Sequence, residues 1–330
     1  MQRDISDKLT RRTVVAGAVG AVAFVSDPAL AQRLPEPPRA KGPLVWLDMD
    51  QRALDEAYDQ SVYAFNRETI FERGREAAAR AFARIGPPQR VAYGPAEIEK
   101  IDIYRTQRTN APTMIFIHGG AWSTGSASTH APLAEMFIKA GSHFAAVDFS
   151  SVDDTGGDLA TLVDQCRRAV PFVHRNAASF GGSADRIYLS GHSSGAHLAG
   201  CALITEWAKQ GLPPDIVKGA VLCSGMYDLK PVRLSSRSSY VKFTDEVEAA
   251  LSAQRHLDRL NTPVILAYGS LETPEFQRQS RDFAASLTAA GKPVQLLAGK
   301  GYNHFEIYET MGNPYGVVGR AALEMLKLAT

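Results

Sequence analysis

The sequence is poor in several features that would announce a function at once. It has three cysteines, Cys166, Cys201 and Cys223, in 330 residues. An odd count leaves at least one thiol unpaired, and all three lie in apolar stretches. They read as small buried hydrophobes, not as a disulfide frame or a nucleophile. Charge imbalance is missing as well: 36 Lys and Arg stand against 35 Asp and Glu, a formal net charge of +1. With no basic run, nothing offers a grip on a nucleic-acid backbone or a charged reason to sit on a membrane. Cys/His spacings of the zinc type are absent, as are internal repeats and low-complexity tracts. No apolar run reaches the ~20 residues of a spanning helix. What remains is ordinary globular composition, 45% hydrophobic and 22% charged, enough for one large domain.

The first thirty residues stand apart. MQRDISDKLTRRTVVAGAVGAVAFVSDPALAQ has paired arginines, Arg11-Arg12, a short Gly/Ala-rich apolar run from Val14 to Val25, and Ala29-Leu30-Ala31. A basic region, an apolar core and a small-x-small site make a secretory signal, and the arginine pair resembles the twin-arginine type. A Sec signal or an uncleaved anchor is the alternative. Residues 1–31 are therefore expected to be removed, giving a periplasmic or secreted protein with no stable membrane association. Residues 32–47 are Pro-rich and read as an extended arm. A single domain is expected over 48–330, its first part, 48–85, being helical and a candidate cap.

From there the chain alternates. KIDIYRT, PTMIFIHGG, HFAAVDFSS, RIYLSGHS, GAVLCSG, PVILAYGS and PVQLLAGK are short β-branched or apolar runs, most of them separated by helical stretches. That rhythm predicts an α/β fold, a mostly parallel sheet with helices on both faces. In such sheets a ligand sits beyond the carboxyl ends of the strands. Reactive residues should therefore cluster just after strands.

They do. RIYLSGHSSGAHLAG passes from strand to helix through Gly191-His192-Ser193-Ser194-Gly195. A strand that turns straight into a helix strains the residue at the bend, and flanking glycines remove the side chains that would clash. Ser193 is thereby lifted clear as a candidate nucleophile. A hydroxyl needs a base. His304, in GYNHFE after the last strand, can reach it. His192 lies within the bend and His197 on the following helix, so neither suits. The base needs an acid. Glu272 follows PVILAYGS directly, whereas Glu275 falls in the first turn of a helix. The order Ser193, Glu272, His304 is that of the α/β-hydrolases. Acyl transfer also needs donors for an oxyanion, often worth ~3 kcal/mol each. Another strand ends in His118-Gly119-Gly120-Ala121-Trp122, and the N–H groups of Gly119, Gly120 and Ser194 are the expected donors. His118 is expected to brace this loop. Trp122 and His192 are expected to line the substrate pocket, and the polar stretch from Val232 to Ala253 to form part of its rim.

HGGAW, GHSSG, ETPEFQRQS, NHF and the helical LDEAYDQSVYAFNRE together resemble the α/β-hydrolases of the hormone-sensitive-lipase-like and kynurenine formamidase (arylformamidase) branch. The resemblance covers nearly all of the chain beyond the signal. It departs from the branch in two respects: glutamate stands at 272 where aspartate is usual, and an export signal precedes a fold whose relatives serve cytoplasmic tryptophan breakdown. The implied activity is a serine carboxylesterase acting on small soluble esters without metal or organic cofactor. An arylformamidase acting on formyl amides is the alternative, and a non-catalytic binding protein on the same fold the third reading. Oligomeric state is not legible.

Overall fold

The computed structural model describes residues 40–328. The chain divides into two units, Met1–Ala40 and Lys41–Thr330. All but one of the residues in the first unit, and so the whole signal segment, lie outside the described residues. The second unit carries every element named below.

It opens with a strand pair, β1 (Leu44–Trp46) and β2 (Met49–Asp50), turned by Leu47 at φ 49°. These residues fall at the end of the expected extended arm, so the folded domain begins a few residues before position 48. The aspartate that ends β2 explains the next element: Asp50 accepts from the Ala53 N–H and caps α1 (Gln51–Ala57). α2 (Arg67–Ile85) is a long amphipathic helix with only Ile70 and Ala81 fully buried.

The main sheet follows: β3 (Gln89–Ala92), β4 (Lys100–Tyr104), β5 (Ala111–Ile117), then α3 (Ala131–Ala140) and β6 (His143–Val147), α4 (Leu159–Asn176), and β7 (Gly182–His192) with α5 (Ser194–Leu203). After β8 (Ala220–Cys223) come two short helices, α6 (Lys230–Leu234) and α7 (Asp245–Leu251). β9 (Val264–Gly269), α8 (Pro274–Ala289), β10 (Val294–Gly299), α9 (His304–Glu309) and α10 (Val317–Met325) complete the domain. The eight strands run in the order β10-β9-β8-β7-β5-β6-β4-β3. Pairing is parallel from β10 to β6 and antiparallel where β4 and β3 close the edge.

Strand periodicity decides how this sheet is covered. In β5, Ile115 and Ile117 face one core with Leu189 of β7 and Leu222 of β8, while Met114 and Phe116 face the other with Tyr188 and Val221. Helices α4, α5 and α8 fill the first core; α3 and α10 fill the second. Both faces are dry, which is why these strands read as unbroken apolar runs. All three cysteines are buried and unbridged, as expected. Every strand that supplies a candidate site residue ends on the same edge of this sheet.

Candidate active site

Ser193 sits at the bend between β7 and α5, at φ 56° and ψ −124°. A non-glycine residue at positive φ costs on the order of 1–3 kcal/mol and persists only where its surroundings enforce it. Here they do. The Ser193 N–H donates to the Cys223 carbonyl at 2.9 Å. A side chain at Gly191 would meet the Gly195 carbonyl oxygen at 2.4 Å, and one at Gly195 would meet the Ile117 oxygen at 2.1 Å. The two glycines are the condition for strand, helix and neighbouring strand to approach this closely.

His304 begins α9, and its loop is fixed by a capping box. Asn303 Oδ1 accepts from the Phe305 and Glu306 N–H groups, and Glu306 Oε2 accepts from the Asn303 N–H. The ring spans two partners: Nε2 lies 2.9 Å from Ser193 Oγ, and Nδ1 lies 2.9 Å from Glu272 Oε2. Glu272 is 1% exposed. Its other oxygen, Oε1, accepts from the Gly269 N–H and the Ser224 hydroxyl, each at 2.6 Å. Glu275, the other acid weighed for this role, points elsewhere: it pairs with Arg278 and accepts from the Tyr58 hydroxyl. A carboxylate at Nδ1 holds that proton in place and leaves Nε2 free to take one from the serine.

Ser224 was not singled out from sequence. It follows β8 directly, stands at φ 55° and is fully buried. The strand-end rule applied to GAVLCSG would have found it.

The loop after β5 turns sharply, with Gly120, Ala121 and Trp122 all at positive φ. Gly119 lies against the bend: a side chain there would come within 3.0 Å of Ser193 Cβ. Among the described residues, the N–H groups of Gly119, Gly120 and Ser194 have no hydrogen-bond partner within the chain. Ser194 contributes its hydroxyl too, accepting from the Trp122 N–H at 3.1 Å and so tying loop to helix. His118 braces the loop as expected, its Nδ1 2.8 Å from the Gly119 carbonyl and its ring stacked on Phe149.

Beside this loop lies a cavity of about 660 Å³. Its wall includes Gly119, Gly120 and His192, so one expected pocket residue is in place. The other is not. Trp122 is 1% exposed and lines no part of the cavity. Its indole N–H donates to His197 Nδ1 at 3.2 Å, and its ring packs under Arg237 and beside Phe243. A buried indole needs a partner for its N–H, and α5 provides one, which draws the ring inward. The stretch from Val232 to Ala253, expected at the rim, likewise stays out of this wall and instead supplies Arg237 and Phe243 behind the loop.

α2 supplies part of the cavity wall, through Ile70, Phe71 and Gly74. Phe71 packs edge-on against Phe305 at 5.0 Å, and Asn66 exchanges hydrogen bonds with Asn303 and Glu306. The apolar wall is completed by Leu133, Phe305 and Tyr308. Phe305 and Tyr308 were missed from sequence, although both flank the histidine that was found. Buried imidazoles lie close by: the ring centroids of His130 and His192 are 5.8 and 4.8 Å from that of Tyr308, and His118 is 6.1 Å from His130. Burial pushes His118 and His192 down and His130 down to about 3. His130 Nδ1 lies 2.7 Å from the Tyr308 hydroxyl.

This strand order, with a serine at the strand–helix bend and an acid and a histidine delivered by later strand ends, defines an α/β-hydrolase. A solved esterase from Pyrobaculum calidifontis shares the fold, with a TM-score of 0.64 at 17% identity, over 84% of this chain and 97% of that one. A family model described as BD-FAE matches residues 101–221. The kynurenine formamidase of Danio rerio is 33% identical over 243 residues, 72% of this chain and 80% of that protein. An isoprenylcysteine alpha-carbonyl methylesterase of Arabidopsis thaliana is 26% identical over 66% of this chain and 56% of that one. The chain belongs to the kynurenine formamidase-like branch of the α/β-hydrolases, and it is a hydrolase.

Proposed function

We propose that this chain is an exported serine hydrolase that cleaves small soluble esters through an acyl-enzyme. The carrying observation is the pair of 2.9 Å contacts that link Ser193 Oγ, His304 and Glu272 in one line. Ser193 Oγ bonds to the substrate carbonyl carbon while His304 Nε2 takes its proton. The N–H groups of Gly119, Gly120 and Ser194 receive the negative oxygen. His304 then gives the proton to the leaving group, and water repeats the sequence to free the acid. Glu272 keeps His304 oriented and stabilises its charged form. The apolar wall suits a substrate with an aromatic part.

Formyl amides are the second reading, favoured by the 33% identity to a protein named kynurenine formamidase. The chemistry is shared, and the group beyond the carbonyl decides. Export is the reading of Arg11-Arg12 and the apolar run after it.

Residues 32–330 and their Ser193→Ala variant, assayed side by side on a short-chain p-nitrophenyl ester and on N-formylkynurenine, test this. Serine-dependent turnover of the ester is expected. Turnover that survives the substitution refutes the mechanism. Fractionation of the full-length chain tests export, which a wholly cytoplasmic location refutes.

A further inference from the structure

His192 has a nitrogen that nothing yet described uses. Its ring is 7% exposed and forms part of the cavity wall next to the oxyanion loop. Nε2 lies 2.9 Å from the His304 carbonyl oxygen. A carbonyl only accepts, so the proton of a neutral ring sits on Nε2 and Nδ1 keeps a bare lone pair. Burial, and then the neighbouring His304, push the ring well below the ordinary histidine range, so it stays neutral. Among the described residues Nδ1 has no hydrogen-bond partner. It faces the loop: a methyl placed on Gly119 would lie 3.2 Å from it. The ring centroid is 4.6 Å from that of His304, the group that must deliver a proton to the leaving atom. The nearby Tyr308 hydroxyl is tied to His130 Nδ1 at 2.7 Å.

An acceptor here matters for one kind of substrate. In cleavage of a secondary amide, the C–N bond breaks as its electron pair goes to nitrogen, and His304 gives that nitrogen the proton taken from Ser193. The nitrogen already carries a hydrogen of its own. Shielded from water, that N–H must find an acceptor or remain unpaired, which slows the step roughly tenfold or more. An ester oxygen carries no hydrogen and makes no such demand.

The geometry points to His192 Nδ1 as the acceptor for the N–H of a scissile secondary amide, which fits this centre to aryl formamides as well as to esters. The assignment rests on the serine mechanism proposed above. No proton moves to His192; it receives a hydrogen bond that is kept until the amine leaves.

The readout is the ratio of kcat/KM on formanilide to kcat/KM on phenyl formate, which have the same acyl group and differ in the leaving atom. His192→Gln retains an N–H toward the His304 carbonyl and loses the acceptor, and its amide-to-ester ratio should fall roughly tenfold or more. His192→Asn retains an acceptor near Nδ1 and loses the anchor, and its ratio should stay close to that of the wild type while both rates fall. In the wild type, N-methylformanilide, which has no N–H, should be cleaved roughly tenfold less well than formanilide after correction for their hydroxide reactivity. This last arm needs no variant to fold. A ratio unchanged in His192→Gln, equal use of the N-methyl compound, or ester turnover without amide turnover each overturns the proposal while the serine mechanism stands. Turnover that survives Ser193→Ala removes the mechanism itself, and the proposal with it.

Discussion

Replacing Glu272 by glutamine changes one oxygen to NH2, and the surroundings dictate where that group must go. Oε1 receives two donors, the Gly269 N–H and the Ser224 hydroxyl. The serine can rotate its hydrogen away; the backbone N–H cannot. The amide oxygen is therefore held at the Oε1 position, and the NH2 is turned toward His304 Nδ1. A donor there forces the imidazole proton onto Nε2, the nitrogen that must accept from Ser193. The base is then in the wrong tautomer, with its geometry preserved. The expected loss is roughly 10³–10⁴-fold in kcat/KM, equivalent to about 4–5.5 kcal/mol of barrier. Glu272→Asp keeps the charge but draws it back by one methylene, roughly 1.5 Å. It must forfeit either His304 or the Gly269 and Ser224 donors, and a loss of roughly 10–100-fold is expected, the value of one charge-assisted hydrogen bond. Steady-state kinetics on a p-nitrophenyl ester, normalised by titration with a serine-directed phosphonate, separates lost activity from lost fold. A glutamine variant within tenfold of the wild type would show that Glu272 does not set the tautomer, and the argument from its two donors would fail.

The remaining expectations follow from the same contacts. Gly195→Ala puts a methyl 2.1 Å from the Ile117 oxygen and 2.3 Å from the His118 oxygen, both backbone atoms that cannot yield. Destabilisation upwards of about 3 kcal/mol is expected in a urea titration, and a change under ~1 kcal/mol would contradict the close approach. Burial pushes five imidazoles, those of His118, His130, His143, His192 and His197, below the ordinary 6.5, to about 3 for His130 and about 4 for His197. The unfolded chain then binds more protons below about pH 6.5, so the stability they permit is fully present above that pH and is lost as pH falls toward the folded values. The urea midpoint should drop steadily from pH 7 to pH 4.5, by at most about 1.4 kcal/mol per pH unit for each ring, and a flat profile would refute their neutrality. Phe71→Ala removes an edge-on contact with Phe305 from a partly exposed ring, so stability should change by about 1 kcal/mol while KM rises several-fold. An unchanged KM would mean that substrate does not reach α2.

The strand-end residues were legible because an α/β sheet makes a sequence rule out of a spatial one. The central strands are apolar on both faces, so their ends show in the sequence, and whatever follows the end of a parallel strand lies on one edge of the sheet. Ser193, His304, Glu272 and the Gly119-Gly120 pair were all found by that rule. Ser224 obeys it too, but its serine lacks a flanking motif and was passed over. Trp122 illustrates what the rule cannot give. An aromatic next to a glycine turn reads as a pocket wall, yet the direction of its side chain depends on two positive φ angles and on a histidine 75 residues away. The strand pair at Leu44–Asp50 hid for a different reason, since it follows a proline-rich tract and contains one two-residue strand. The cavity wall from α2 was beyond reach because an amphipathic pattern says that a face is covered, not what covers it.

The placement of α2 also links two properties that sequence motifs treat as separate. One support holds both the cover of the cavity and the base. Asn303 caps α9 and so fixes the backbone of His304, and the same asparagine donates through Nδ2 to Asn66, the N-cap residue of α2. Asn66 in turn donates to Glu306, the acid of the capping box. A few residues on, Phe71 leans on Phe305, the residue after the base, and Arg73 pairs with Glu309 at the end of α9. The first two turns of α2 therefore grip α9 at its start, middle and end. Lifting α2 from the cavity would give up hydrogen bonds to both residues of the capping box around His304. The cavity wall on α2 and the loop that carries His304 thus share one set of contacts, and a substitution that loosens one should be felt at the other.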